Sequence, residues 1–179
     1  MLAAGHETYG LAEQMTALQD THGDVGAGWL AGALKAKGVE KGDRVAVYAS
    51  NCTEYLDLFW AAAKIGAILQ NLNWRLTVHE LEGIIRSGAP RVLIYSKDWQ
   101  PQVEELEPSL DTVDSIVAFS DPRTGEQDFA RRSTASATLE DRPQLTLDDP
   151  LGIYYTGGTT GLPKGAVLTH GNVTWNSIN

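Results

Sequence analysis

Between Gly38 and Phe119 the chain alternates short apolar runs with longer stretches whose apolar residues recur three and four positions apart. The runs RVAVY (Arg44–Tyr48), AILQNL (Ala67–Leu72), RVLIY (Arg91–Tyr95) and SIVAF (Ser115–Phe119) are β-branched or apolar and of ordinary strand length. The stretches between them predict helices with legible ends. Asn51 and Glu54 have capping-box spacing, Leu56, Phe59, Trp60 and Ala63 share one face at i, i+3, i+4 and i+7, and Gly66 supplies the stop. Thr77 and Glu80 repeat the device for a helix that turns Leu81, Ile84 and Ile85 to one side and ends at Gly88. A shorter helix over 100–107 is flanked by Pro101 and Pro108. Before the first strand, Val25–Lys37 predicts a helix carrying Trp29, Leu30 and Leu34 inward, while residues 1–20 are at best amphipathic.

Strands alternating with helices imply βαβ units with right-handed crossovers. The expected fold class is α/β, a mainly parallel sheet with flanking helices over residues 20–119. From 120 to 149 the chain turns polar, with two prolines and many Ser, Thr and Asp residues, as in a surface loop or linker. Residues 150–179 then read as a strand (Leu151–Tyr155), a loop, a second strand (Ala166–Leu168) and a helix opening at His170–Asn172. That final helix is cut short after two turns, so the chain is expected to be a piece of something longer.

Composition narrows the function. A chain of 179 residues suits about one domain, and 42% hydrophobic with 21% charged residues is a globular mixture. A net charge of -9 with scattered basic residues argues against nucleic acid as a partner, which requires a basic surface. An acidic protein that binds phosphate must use backbone N–H groups and a few placed cations. The single cysteine, Cys52, has no disulfide or metal-ligand companion, which suits the reducing cytoplasm. No apolar run approaches the length of a membrane helix, and MLAAGHETYG has no charged n-region followed by a long apolar core, so neither membrane nor export is expected.

The candidate chemistry lies in YYTGGTTGLPKG (Tyr154–Gly165), where six small or hydroxylated residues precede a proline and a lysine. Gly157, Gly158 and Gly161 let backbone N–H groups approach an anion without a Cβ in the way, and successive N–H groups form a concave nest. Thr156, Thr159 and Thr160 add hydroxyls, and Lys164 adds a cation held close by Pro163. A glycine-rich hairpin without a ligand is the alternative, but hairpins need turn chemistry at only one or two positions. A Walker A loop would place lysine directly after glycine and be followed by a helix, whereas Leu162-Pro163 intervene here and a strand follows.

YTGGTTGLPKGAVLTHGN (Tyr155–Asn172) is similar to the signature loop of the adenylate-forming superfamily, which includes acyl-CoA synthetases, peptide-synthetase adenylation domains and firefly luciferase. The usual serine is replaced by Gly157. Upstream, Gly38–Ser96 resembles the family's N-terminal α/β region, THGDV (Thr21–Val25) its early threonine-tyrosine segment with His22 for tyrosine, and NLNWRL (Asn71–Leu76) its asparagine-proline-arginine-leucine segment with Trp74 for proline.

The resemblance implies the N-terminal part of the large AMP-binding domain of an acyl-CoA synthetase, followed by a strand–phosphate loop–strand unit. It implies ATP and magnesium, a carboxylic acid activated as an acyl-adenylate, and coenzyme A as the thiol. It assigns the ATP phosphate contacts to Thr156, Gly157, Gly158, Thr159, Thr160, Gly161 and Lys164. The family's threonine-glutamate pair that serves magnesium, its ribose-binding aspartate, its hinge and its late lysine do not occur in the chain, so no complete catalytic set and no metal site is expected within it. Other expectations are a peptide-synthetase type of adenylating enzyme, or a non-catalytic module that binds nucleotide phosphate.

His170 suits the start of a helix capped by Thr169 and Asn172, with no nucleophile pattern around it. His22 and His79 suit the surface, Cys52 a small buried position, and Trp60 and Trp99 plain packing, with Trp74 left open. Glu104, Glu105 and Glu107 suit a solvated helix face.

Overall fold

The computed structural model describes residues 24–119, 142–156 and 163–178. Its elements run α1 (Asp24–Ala36), β1 (Arg44–Tyr48), α2 (Thr53–Ile65), β2 (Ile68–Leu72), α3 (Val78–Gly88), β3 (Val92–Ser96), α4 (Gln100–Leu106), β4 (Ser115–Phe119), β5 (Pro150–Thr156), β6 (Lys164–Thr169) and α5 (His170–Ile178). The predicted strands and helices are all present within a residue or two at each end. Residues 1–20, read as at best amphipathic, and most of the polar stretch lie outside the described residues.

The six strands form one sheet in the order β4-β3-β1-β2-β5-β6, parallel throughout except for the antiparallel β5·β6 pair. This order explains where the helices go. The crossover from β1 to β2 moves one way along the sheet, while those from β2 to β3 and from β3 to β4 move the other way. Right-handed crossovers in opposite directions must cover opposite faces. One core accordingly joins α1 and α2 to Val45, Val47, Leu69, Val92 and Ile94. The other joins α3 and α4 to Ala46, Tyr48, Leu93 and Tyr95. Successive residues of β1 and β3 thus feed alternate cores, the period-two geometry of a strand buried on both faces.

Two local expectations are corrected. The buried residues of α2 are Leu58, Ala61, Ala62 and Ile65, together with Ala63 and Glu54, while Leu56 is 57% exposed and Phe59 and Trp60 are half-buried. The inward series has the same i, i+3, i+4, i+7 spacing as the predicted one, shifted by two residues. Its alanines let α2 lie close against the sheet and α1, which the bulkier Phe59–Trp60 face cannot do. The N-cap of α2 is Cys52, in extended conformation and without a side-chain cap bond, so Asn51 does not close a capping box.

The helix α3 ends at Gly88, as predicted. The left-handed cap that follows is Ala89 at φ 45°. Gly88 is also needed for a close approach: a Cβ there would lie 2.2 Å from Nε2 of Gln70, a fully buried side chain on β2. The other predicted ends hold. Thr77 accepts from the Glu80 N–H while Glu80 reaches back to the Thr77 N–H at 2.8 Å, completing the capping box. Gly66 caps α2 at φ 69°.

The chain reaches β5 past the connection between α1 and β1. Lys41 Nζ donates to the Gln144 carbonyl at 2.9 Å and pairs with Asp149 at 3.0 Å, and Asp149 also accepts from the Thr146 N–H at 2.6 Å. These bonds hold the Asp149 carboxyl below the usual range, the Thr146 N–H first and Lys41 second. They fix where β5 begins and therefore where it ends.

Candidate functional site

Because β5 runs parallel to β2, its last residues point to the same edge as the carboxyl ends of β1, β2 and β3. That edge is where open α/β sheets bind their ligands. Thr156 closes β5 and faces Lys164, the first residue of β6, as the final pair of an antiparallel hairpin. The Thr156 hydroxyl donates to the Lys164 carbonyl at 3.4 Å, and both residues are exposed. Two of the predicted phosphate contacts thus sit side by side at the mouth of the connection between the strands. They belong to strand ends and not to the loop, because strand pairing continues to the glycines. Gly157, Gly158, Thr159, Thr160 and Gly161 lie outside the described residues.

NLNWRL (Asn71–Leu76) begins in the last two residues of β2 and turns at the same edge. The Asn73 carboxamide oxygen accepts from the Arg75 N–H at 3.0 Å, turning the chain, and the Arg75 guanidinium stacks 4.0 Å over the Trp74 ring. Trp74 lies 5.5 Å from Trp99, which lies 5.5 Å from Tyr48 at the end of β1. Trp74 is therefore a packing residue, which buttresses the turn. Trp99 contributes to the same stack, as expected for plain packing.

Between this turn and the hairpin stands an arrangement that sequence reading missed. Tyr55 on α2 donates its phenol O–H to the side-chain oxygen of Asn71 on β2. The Asn71 amide in turn donates to the carbonyls of Ile153 on β5, at 3.2 Å, and of Leu69, at 3.3 Å. The only sequence signal was an asparagine inside a strand, where asparagine is disfavoured.

His170 starts α5 as expected, with Thr169 and Asn172 exchanging cap bonds: the Thr169 N–H donates to the Asn172 oxygen at 2.9 Å, and the Asn172 N–H to the Thr169 hydroxyl at 3.2 Å. Burial pushes the His170 imidazole below its ordinary range, against the pull of Asp149. Cys52 is half-buried with its thiol pushed up by burial, so it is not an activated nucleophile. His79 is exposed beside Glu82. Among the described residues no three of His, Cys, Asp or Glu gather into a metal-binding group, and no helix is long and apolar enough to cross a membrane.

The family model described as "AMP-binding enzyme" matches residues 26–179. The long-chain-fatty-acid–CoA ligase FadD13 of Mycobacterium tuberculosis is 37% identical over 160 residues, covering 89% of this chain and 29% of the ligase. Among solved structures, the inhibitor-bound N-terminal domain of FACL13 from Mycobacterium tuberculosis is 34% identical with a TM-score of 0.69, covering 83% of this chain and 36% of that one. ATP-bound MatB from Rhodopseudomonas palustris is 28% identical with a TM-score of 0.71, covering 85% of this chain and 29% of that one. The chain spans less than a third of the length of the curated relatives it matches. A family match over most of the chain and a parallel sheet shared with these structures agree, and the chain belongs to the AMP-binding enzyme family.

Proposed function

We propose that the chain is the N-terminal portion of an AMP-forming acyl-CoA synthetase, an acid–thiol ligase that activates a fatty or related carboxylic acid with ATP and passes the acyl group to coenzyme A. The single observation that carries this reading is the Thr156–Lys164 hairpin mouth at the carboxyl edge of the sheet, in a chain of this family. The 37% identity to a CoA ligase favours a CoA thioester over a peptide-synthetase product.

In this role Thr156, Lys164 and the residues between them, Gly157, Gly158, Thr159, Thr160 and Gly161, cradle the β- and γ-phosphates of ATP. The substrate carboxylate attacks the α-phosphorus and pyrophosphate leaves, giving an acyl-adenylate. The thiol of coenzyme A then attacks the acyl carbon and AMP departs. Lys164 brings a point charge to the leaving pyrophosphate, and the hydroxyl and N–H donors hold it in line, so catalysis here is positioning and electrostatic stabilisation without a general base. Magnesium bound with ATP neutralises phosphate charge. The chain by itself lacks the means to complete the reaction and acts within a longer protein in the cytoplasm.

The test is product analysis of the longer protein incubated with ATP, coenzyme A and a panel of carboxylic acids. AMP, pyrophosphate and an acyl-CoA in equal amounts are expected. Formation of ADP, or of AMP without any thioester, contradicts the reading.

A further inference from the structure

Asn71 stands where β2 and β5 part. Their ladder pairs Leu69 with Gly152, Gln70 with Ile153 and Asn71 with Tyr154, after which β5 runs on to Thr156 with β6 as its partner. Just there the Asn71 side chain takes over from the backbone. Its NH₂ group reaches one carbonyl on each strand, Leu69 and Ile153. A carboxamide has a donating and an accepting end, and which end faces which neighbour is set by the bonds available. Tyr55 decides this, because its O–H occupies the Asn71 oxygen and leaves the NH₂ turned toward the two carbonyls. Tyr55 packs half-buried against the core beneath α2, and burial raises its phenol well above the ordinary range, so it remains a donor.

We propose that Tyr55 and Asn71 form a latch tying α2 and β2 to β5, which sets the course of the last β5 residues and so positions Thr156 toward the ATP phosphates. The latch itself rests on the hydrogen-bond geometry, and its consequence for ATP rests on the proposed function. Both are positioning residues: Asn71 holds the Ile153 carbonyl, three residues before Thr156, and Tyr55 acts through Asn71.

Tyr55→Phe keeps the ring and removes only the hydroxyl, freeing the amide to turn. Hydrogen–deuterium exchange on the 179-residue chain without ligand should then be faster by about tenfold at the amides of residues 154–156, the scale of one net hydrogen bond, with β3 amides unchanged. Asn71→Ala should have the same local effect, and adding Tyr55→Phe to it should change nothing further, since the pair works as a unit. Unchanged β5 exchange, or additive effects of the two substitutions, overturns the latch. In the longer protein, Tyr55→Phe should raise the KM for ATP in acid-dependent pyrophosphate exchange by about three- to tenfold while the KM for the acid stays the same. Faster β5 exchange with both KM values raised alike overturns the positioning role. A wild-type protein without any pyrophosphate exchange overturns the proposed function, and the β5 amides still decide the latch.

Discussion

Gly88→Ala offers a sharp test of the packing between α3 and the sheet. The added Cβ would lie 2.2 Å from Nε2 of Gln70 and 2.4 Å from its Cδ and Oε1. An amide at the end of a flexible side chain would ordinarily swing aside, but Gln70 is fully buried, and Nε2 donates to the Ile84 carbonyl at 2.9 Å. Moving it breaks that bond in a dry interior, which costs about 1–3 kcal/mol. Crowding of the surrounding core adds roughly 1–3 kcal/mol. Alanine's better helix propensity returns at most about 1 kcal/mol. A net loss of about 1–5 kcal/mol follows from these terms. Gly83→Ala is the internal control: it lies on the same helix with open space around it, so only the propensity gain of about 1 kcal/mol remains. Urea denaturation followed by circular dichroism, with m-values checked for constancy, reads both. Gln70→Ala in the Gly88→Ala background should recover part of the loss. Equal midpoints for the two glycine variants, or no recovery, would refute the close-approach argument.

Three further outcomes are expected. Lys164→Ala in the longer protein should slow adenylate formation far more than transfer to coenzyme A, and rapid-quench measurement of equal slowing in both half-reactions would remove the lysine from the phosphate site. Thr77→Ala should destabilise the chain by about 1 kcal/mol through loss of the α3 cap, read as a lower urea midpoint. Because Asp149 has a depressed folded pKa, its contribution is fully present above the unfolded value near 3.9 and is lost as pH falls through the lower folded value. Asp149→Asn should accordingly lower the Tm at pH 7, with the gap to wild type closing in acid; a gap that is constant between pH 7 and pH 3 contradicts this assignment.

Much of the fold was legible because its determinants are local. RVAVY and SIVAF coincide with β1 and β4 to the residue: the first is an apolar run covered on both faces, the second a β-branched run at the sheet edge. The Thr77–Glu80 box and the Gly66 cap were legible for the same reason: each is a contact between near neighbours. The inward face of α2 was not, because two series with the same periodicity run along it and only the space between α1 and the sheet selects the alanine-rich one. Gly88 was legible as the end of α3, but the close approach it permits was not, because the side chain it accommodates, Gln70, lies on another element. In the candidate site, Thr156 and Lys164 are identifiable from the loop's composition, and the hairpin that pairs them follows from the apolar runs on either side. The Tyr55–Asn71–Ile153 chain of bonds joins residues 16 and 82 positions apart, beyond the reach of any local pattern.

The measurement that bears most directly on the central claim is acid-dependent exchange of labelled pyrophosphate into ATP, made side by side on the 179-residue chain and on the longer protein that contains it. Exchange by the longer protein that requires a carboxylic acid and is abolished by Lys164→Ala, with none by the 179-residue chain, is the predicted result. Exchange that ignores the acid, or that persists undiminished without Lys164, would contradict an adenylate-forming ligase built on this phosphate loop.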